Sequence, residues 1–187
     1  ELNNVSSVNV TGNTATNNSL CGFGLFNATN SNLSNNIASD NDGSGICVRD
    51  STNNTVNRNE ANSNELNGIS VFNSSSNTFS GNNASYNGNN GILVNGSSNY
   101  NNLTSNTANG NTGSGYLIAD SVSTNLTNNT ASNNHEDGFT LSNVSSTTLL
   151  NNTAAGNWDN GFDVTNVSRT NLTNNTATDN LGSGFGL

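Results

Sequence analysis

The sequence predicts an all-β protein, a parallel β-solenoid of about eight 23-residue coils with three short strands per coil. Three observations carry this prediction. The tripeptide N-x-A recurs at Ala15, Ala38, Ala61, Ala84, Ala108, Ala131, Ala154 and Ala177, at spacings of 23 residues with one of 24. Seven residues after each Ala stands a Gly, from Gly22 and Gly45 to Gly161 and Gly184. Apolar residues keep the same register, five before each Ala (Val10, Leu33, Val56 onwards) and one and three after each Gly (Phe23 and Leu25, Ile46 and Val48 onwards). Repetition at a fixed period of this length marks stacked structural repeats.

Each element follows from local pattern. The stretch G-[FIY]-x-[VLI] alternates apolar and polar residues, as a half-buried strand does. The stretch [NT]-[LVF]-[ST] is a second short strand and N-x-A-x a third. Helix is disfavoured, because Asn, Gly, Ser and Thr dominate and the apolar spacing is not helical. In a stack, equivalent positions lie above one another, so two Asn columns become ladders. The first is Asn13, Asn36, Asn59, Asn82, Asn106, Asn129, Asn152 and Asn175; the second is Asn18, Asn41, Asn64, Asn87, Asn111, Asn134, Asn157 and Asn180. Asn suits both a bend, where it tolerates left-handed backbone, and an inward ladder of amides. Ala fits a column too narrow for a larger side chain, and the recurring Gly is expected to supply a positive-φ bend.

Composition sets outer limits. Leu, Ile, Val and Phe number 38 of 187 residues, a share that alone leans towards disorder. The strict register overrules that lean. Asn is the outlier at 48 residues, and only 8% of residues are charged for a net charge of −9. Three Arg and no Lys leave no basic footprint for nucleic acid. No apolar run approaches the roughly 18 residues of a membrane span. One solenoid domain over 1–187 is expected, a segment or subunit of a larger assembly. Leu2 aligns with the column of Leu141 and Leu187, so the chain starts and stops at one angular position. End-to-end self-association, or continuation of a longer solenoid, is the partner this suggests.

The segments "NNTATDNLGSGFGL" and "NNIASDNDGSGICV" resemble the Asn-rich NosD-like repeats of the right-handed parallel β-helix, pectin-lyase-like superfamily. The resemblance covers the whole chain and implies the right-handed fold. It says little of activity, since the family spans polysaccharide lyases, surface proteins, adhesins and accessory factors.

A polysaccharide lyase-like enzyme would need clustered Asp beside a cationic residue. The hydrolase motifs N-T-D and R-I-K do not occur, and Arg49, Arg58 and Arg169 stand apart from dense carboxylates. The reading is therefore not an enzyme, with no catalytic, cofactor or metal residues assigned. Copper, which the NosD-like resemblance raises, would have one His and no Met to bind it. Cys21 and Cys47 lie on adjacent coils at a three-residue offset, about 11 Å for extended chain, so free thiols are expected.

The variable tripeptide before the Gly concentrates polarity. It reads His135-Glu136-Asp137 in coil six and Trp158-Asp159-Asn160 in coil seven, with Asp163 on the strand beyond. This is the candidate for a weak calcium site or a sugar-stacking patch, against the plainer reading of solvated loop residues. Sequons recur in register at Asn9, Asn32, Asn102, Asn125 and Asn171, and again at Asn27, Asn73, Asn143 and Asn166, the candidates for N-glycosylation. The Thr/Asn rows around the second strand also raise an ice-binding alternative, which Asn57 and Leu150 interrupt. The leading expectation is a structural solenoid, extracellular or at the cell surface: a filament subunit or surface-protein segment. Its alternative is a carbohydrate-binding or adhesive module.

Overall fold

The computed structural model describes residues 1–187 and contains strands, turns and bends only. Every strand pairs in parallel with its equivalent one coil away, as in Phe139↔Phe162 and Leu103↔Leu126. The first sheet has nine strands, among them Phe23–Phe26, Ile46–Arg49, Ile69–Phe72, Ile92–Asn95, Tyr116–Ala119, Phe139–Ser142 and Phe162–Thr165. The second has eight, from Asn9–Thr11 to Asn171–Thr173. The third has three, Thr130–Ser132, Thr153–Ala155 and Thr176–Thr178, and isolated bridges extend its column back to Thr14. A fourth column of bridges runs through Ser6, Thr29, Thr52 and Ser75 and resumes from Val122 to Ser168. The coil is therefore four-sided, with the third side paired as full strands only in the last coils.

Four sides need four corners, and each corner carries a left-handed residue. In the second coil these are Asp40, Asp50, Asn53 and Arg58, with φ of 58°, 52°, 57° and 51°. The predicted role of the recurring Gly is corrected here. None of Gly22, Gly45, Gly68, Gly91, Gly115, Gly138, Gly161 or Gly184 has positive φ. What requires Gly is space. A Cβ on Gly115 would lie 2.7 Å from the Ala131 Cβ and 2.8 Å from the Gly138 carbonyl oxygen. The Gly and the next coil's Ala share one crowded edge, which neither can leave by growing.

The interior is built of columns. Ile46, Ile69, Ile92, Tyr116, Phe139 and Phe162 form one and Leu25, Val48, Val71, Val94, Ile118 and Leu141 another, all at most 1% exposed. The rings of Tyr116, Phe139, Phe162 and Phe185 stack nearly parallel at centroid spacings of 4.7, 4.8 and 4.9 Å. Those spacings match the distance between paired strands, roughly 4.8 Å, so the backbone sets the ring separation.

Polar columns flank the apolar ones. From Asn13 to Asn175, each Nδ2 donates to the next coil's Asn Oδ1 at 3.0–3.2 Å. From Asn18 to Asn180 the same bond repeats at 2.8–3.1 Å. Asn82 shows the pattern in full. Its Oδ1 accepts from the Asn59 backbone N–H and Nδ2, and its own Nδ2 donates to Asn106 Oδ1 and the Val56 carbonyl. Both donors and both acceptor sites of the buried Asn82 amide are thus filled. A third, shorter run links Asn54, Asn77 and Asn101.

Three buried side-chain atoms lack a hydrogen-bond partner, Asn57 Oδ1, Thr124 Oγ1 and the Tyr116 hydroxyl, and Tyr116 is the most consequential because it can ionise. Burial pushes its phenol well above the ordinary tyrosine value. The folded chain then holds a proton the unfolded chain has released, so stability falls as pH rises through about 10. Tyr116→Phe keeps the ring stack and removes the orphan hydroxyl. It is expected to raise unfolding free energy by about 1 kcal/mol in urea titrations and to weaken the alkaline loss of stability. Asn82→Ala strands several buried donors and acceptors. It is expected to cost about 3 kcal/mol in the same measurement, against a smaller loss for the half-exposed Asn175→Ala.

Candidate functional site

Two side-chain clusters break the regularity of the outer face of the first sheet. They lie several coils apart and share two columns, that of Leu20 with Asp159 and that of Cys47 with Asp163, while Trp158 and the Phe26–Arg49–Phe72 row stand in different columns.

The first lies in coils five to seven. The ladder residues Asn134 and Asn157 end one bend, and the residues after them project outward. The His135 and Trp158 backbone N–H groups each donate to a ladder carbonyl one coil back, Asn111 and Asn134, at 2.9 Å. Hung from equivalent points, the two side chains meet with ring centroids 4.3 Å apart and tilted by 45°. Trp158 remains 59% exposed, so one face of the indole stays open. Glu136 and Asp159 are exposed beside it, and Asp163 is half-buried on the adjoining strand.

Asp137 differs from these. It is 9% exposed, and its Oδ1 accepts from the Asn160 backbone N–H and Nδ2 at 2.9 and 3.0 Å. Its Oδ2 accepts from Thr140 Oγ1 at 2.9 Å, and that hydroxyl lies 2.9 Å from Ser114 Oγ. Asp137 is a rung of the structure. The exposed carboxylates here are Glu136 and Asp159. No group of three His, Cys, Asp or Glu side chains is placed to hold a metal ion.

The second cluster lies in coils one to three, and it contains a correction. Cys21 and Cys47 form a disulfide, with Cα atoms 6.1 Å apart. Straight strand between the two columns would hold the sulfurs too far apart to bond. The chain turns at the crowded Gly22 and Gly45 corner, which brings the two columns together. Around the disulfide, Leu20, Phe26, Arg49 and Phe72 line a recess of about 240 Å³. The Arg49 guanidinium carbon sits 5.3 Å from the centre of the Phe72 ring, within cation–π range. Sequence reasoning passed over this group because its members come from three different coils. Their shared column positions are the signal that would have found them.

Of the sequon residues, Asn9, Asn27, Asn73, Asn102, Asn125, Asn143, Asn166 and Asn171 are exposed. Asn32 is half-buried, and its Nδ2 donates to Asn9 Oδ1 at 2.7 Å and Ser34 Oγ at 3.0 Å.

A scaffold of stacked parallel coils with chemistry confined to outward columns defines a class, the parallel β-helix proteins. The chain belongs to the family of the right-handed β-helix region, whose model matches residues 1–131 and 85–187. No curated protein matches it by sequence. Among solved structures it is similar to the A-module of the Azotobacter vinelandii mannuronan C-5 epimerase AlgE4. Identity there is 18% and the TM-score 0.77, over 90% of this chain and 54% of that one. It is also similar to a T265N mutant of the periplasmic alginate epimerase AlgG, at 20% identity and a TM-score of 0.84, over 94% of this chain and 46% of that one. Tailspike protein 2 of an Escherichia coli O157:H7 bacteriophage matches at 10% identity and a TM-score of 0.58, over 72% and 21%. The chain thus spans about half the length of the epimerase structures. These likenesses show the fold, and they correct the exclusion of catalysis. Epimerases are built on this same solenoid, so missing hydrolase motifs and a smooth repeat do not set enzymes aside.

The disulfide ties the first coil to the second across 26 residues of chain. Cys21→Ser is expected to cost about 3 kcal/mol and to speed amide exchange in the first coil well beyond that in the middle coils, read by hydrogen-exchange mass spectrometry.

Proposed function

We propose that the chain is a carbohydrate-binding β-helix that holds an extended glycan along the outer face of its first sheet. The observation that carries this reading is Trp158, an open indole face steadied by His135 and flanked by the carboxylates of Glu136 and Asp159. A ring of that kind packs against the apolar C–H face of a sugar, while carboxylates accept from its hydroxyls. The Phe26–Arg49–Phe72 recess supplies a second platform beside the same sheet, at the far end of its strands from the Trp158 column. From Ile46–Arg49 to Phe162–Thr165 is five strand steps, roughly 24 Å, enough for several sugar residues. Between them the surface offers Ser70, Leu93, Leu117 and Thr140, half-buried and without projecting bulk.

The solved structures named for mannuronan and alginate epimerases support a polysaccharide as ligand. Charge narrows the choice. A chain of net charge −9, with acidic side chains at the Trp158 end, favours a neutral glycan over a polyanion. The disulfide fits an oxidising compartment, extracellular or periplasmic, where such polymers are met. N-glycosylation at the exposed sequons belongs to the same proposal for an extracellular chain.

The unbroken Asn ladders favour a second, mechanical role as a stiff spacer in a cell-surface assembly or filament, which electron microscopy of native material would reveal as straight rods. For the leading reading, screening against a neutral glycan array and titration calorimetry on the hits are the test. Trp158→Ala is expected to cost about 2 kcal/mol, some thirtyfold in affinity. Binding that survives this substitution unchanged, or no binding to any glycan, overturns the proposal.

A further inference from the structure

Six Asn-Gly pairs occur in the chain, beginning at Asn67, Asn87, Asn90, Asn95, Asn109 and Asn160. We propose that one of them, Asn95-Gly96, is a built-in deamidation site, and that the fold shields the other five. This inference rests on hydrogen bonding alone and is independent of the glycan reading.

The chemistry needs two free groups. The Gly backbone nitrogen attacks the Asn side-chain carbonyl carbon and loses its proton to solvent base. The C–N bond of the side-chain amide breaks and nitrogen leaves as ammonia, closing a succinimide. Water then opens the ring at either carbonyl, leaving aspartate or isoaspartate, the latter with the backbone rerouted through the side chain. A Gly N–H held in a hydrogen bond is a poor nucleophile in poor position, and an anchored amide cannot turn to meet it.

In five pairs both groups are held. The Gly68, Gly88, Gly91, Gly110 and Gly161 N–H groups donate to carbonyls of neighbouring coils at 2.8–3.1 Å. The Oδ1 atoms of Asn67, Asn87, Asn90, Asn109 and Asn160 accept from backbone N–H groups at 2.8–3.1 Å. Asn95 has no side-chain hydrogen bond, and the Gly96 N–H has no partner.

The cause is the one irregular coil. Strand Ile92–Asn95 pairs with the next coil through Ile92, Leu93 and Val94, and the ladder stops before Asn95. On the other side Asn95 still pairs with Phe72. The 24-residue spacing places its extra residue in the turn after Asn95, so the Gly96 N–H misses the carbonyl that its counterparts reach. Asn27, Asp50 and Asn73, at the equivalent corner, donate to Arg49, Phe72 and Asn95 carbonyls at 3.1–3.4 Å. Gly96 has φ of +64°, and an added Cβ would meet the Phe72 ring at 2.5 Å. The position thus keeps the residue that offers least hindrance to ring closure.

The test is a time course of the folded protein in mildly alkaline buffer, then proteolysis in heavy-oxygen water and mass spectrometry of each Asn-Gly peptide. Asn95 is expected to deamidate roughly tenfold faster or more than any other pair, since those must first open two hydrogen bonds. In concentrated denaturant the six rates should converge to within a few-fold. Asn95→Gln should abolish the signal from this peptide in the folded state without raising it elsewhere. Deamidation led by another pair, spread evenly over the six, or absent from Asn95 in the folded chain overturns the proposal.

Discussion

Between the end coils, nearly every residue of this protein faces its own equivalents one coil above and below, at the spacing of paired strands. That constraint governs the rest. A side chain admitted to the interior must be content to stack on copies of itself. Apolar groups meet the condition by contact, as the Tyr116–Phe139–Phe162–Phe185 column does. Charged groups do not, because a column of like charges in a low-dielectric interior repels itself. Asn meets it well among polar residues. Its amide carries donors at one end and an acceptor at the other, so a column of amides is head-to-tail saturated, with a donor left for a backbone carbonyl. An Asn-rich, charge-poor composition is the chemical consequence.

The same constraint decides where function can sit. Interior columns are committed, and corners are occupied by residues in left-handed conformation. Freedom is left on outward strand positions and in the short segment between the second Asn ladder and the Gly. Both side-chain clusters fall there. Because equivalent positions share an angular address, His135 meets Trp158, and Phe26, Arg49 and Phe72 line up, without any long loop to bring them together. The epimerase structures show that a solenoid of this kind can carry catalysis, which makes the outer face, and not the fold, the place to look for activity.

Much of the architecture was legible in residue spacing. The coil period, the inward columns and the Ala edge all follow from counting, because repetition turns a one-dimensional register into a three-dimensional one. Three readings were not recoverable that way. The recurring Gly reads in sequence as a positive-φ bend, whereas it answers to a clash with the next coil's Ala, a distance between coils and not a backbone preference. The disulfide depends on a corner that residue counting renders as straight chain. The third amide run, Asn54–Asn77–Asn101, is masked in the sequence because Ser31 and Thr124 occupy its column elsewhere.

By itself the sequence determined the repeat, the parallel stack and the identity of its inward columns, since hydrophobic register and amide chemistry act position by position along the chain. Only the tertiary structure decided which groups were left over. It gave four corners, joined Cys21 to Cys47, and withheld a partner from the Tyr116 hydroxyl and the Gly96 N–H. It also set Trp158 against His135. Each of these depends on distances between coils, and a single inserted residue, invisible as chemistry in the sequence, is enough to shift one of them out of reach.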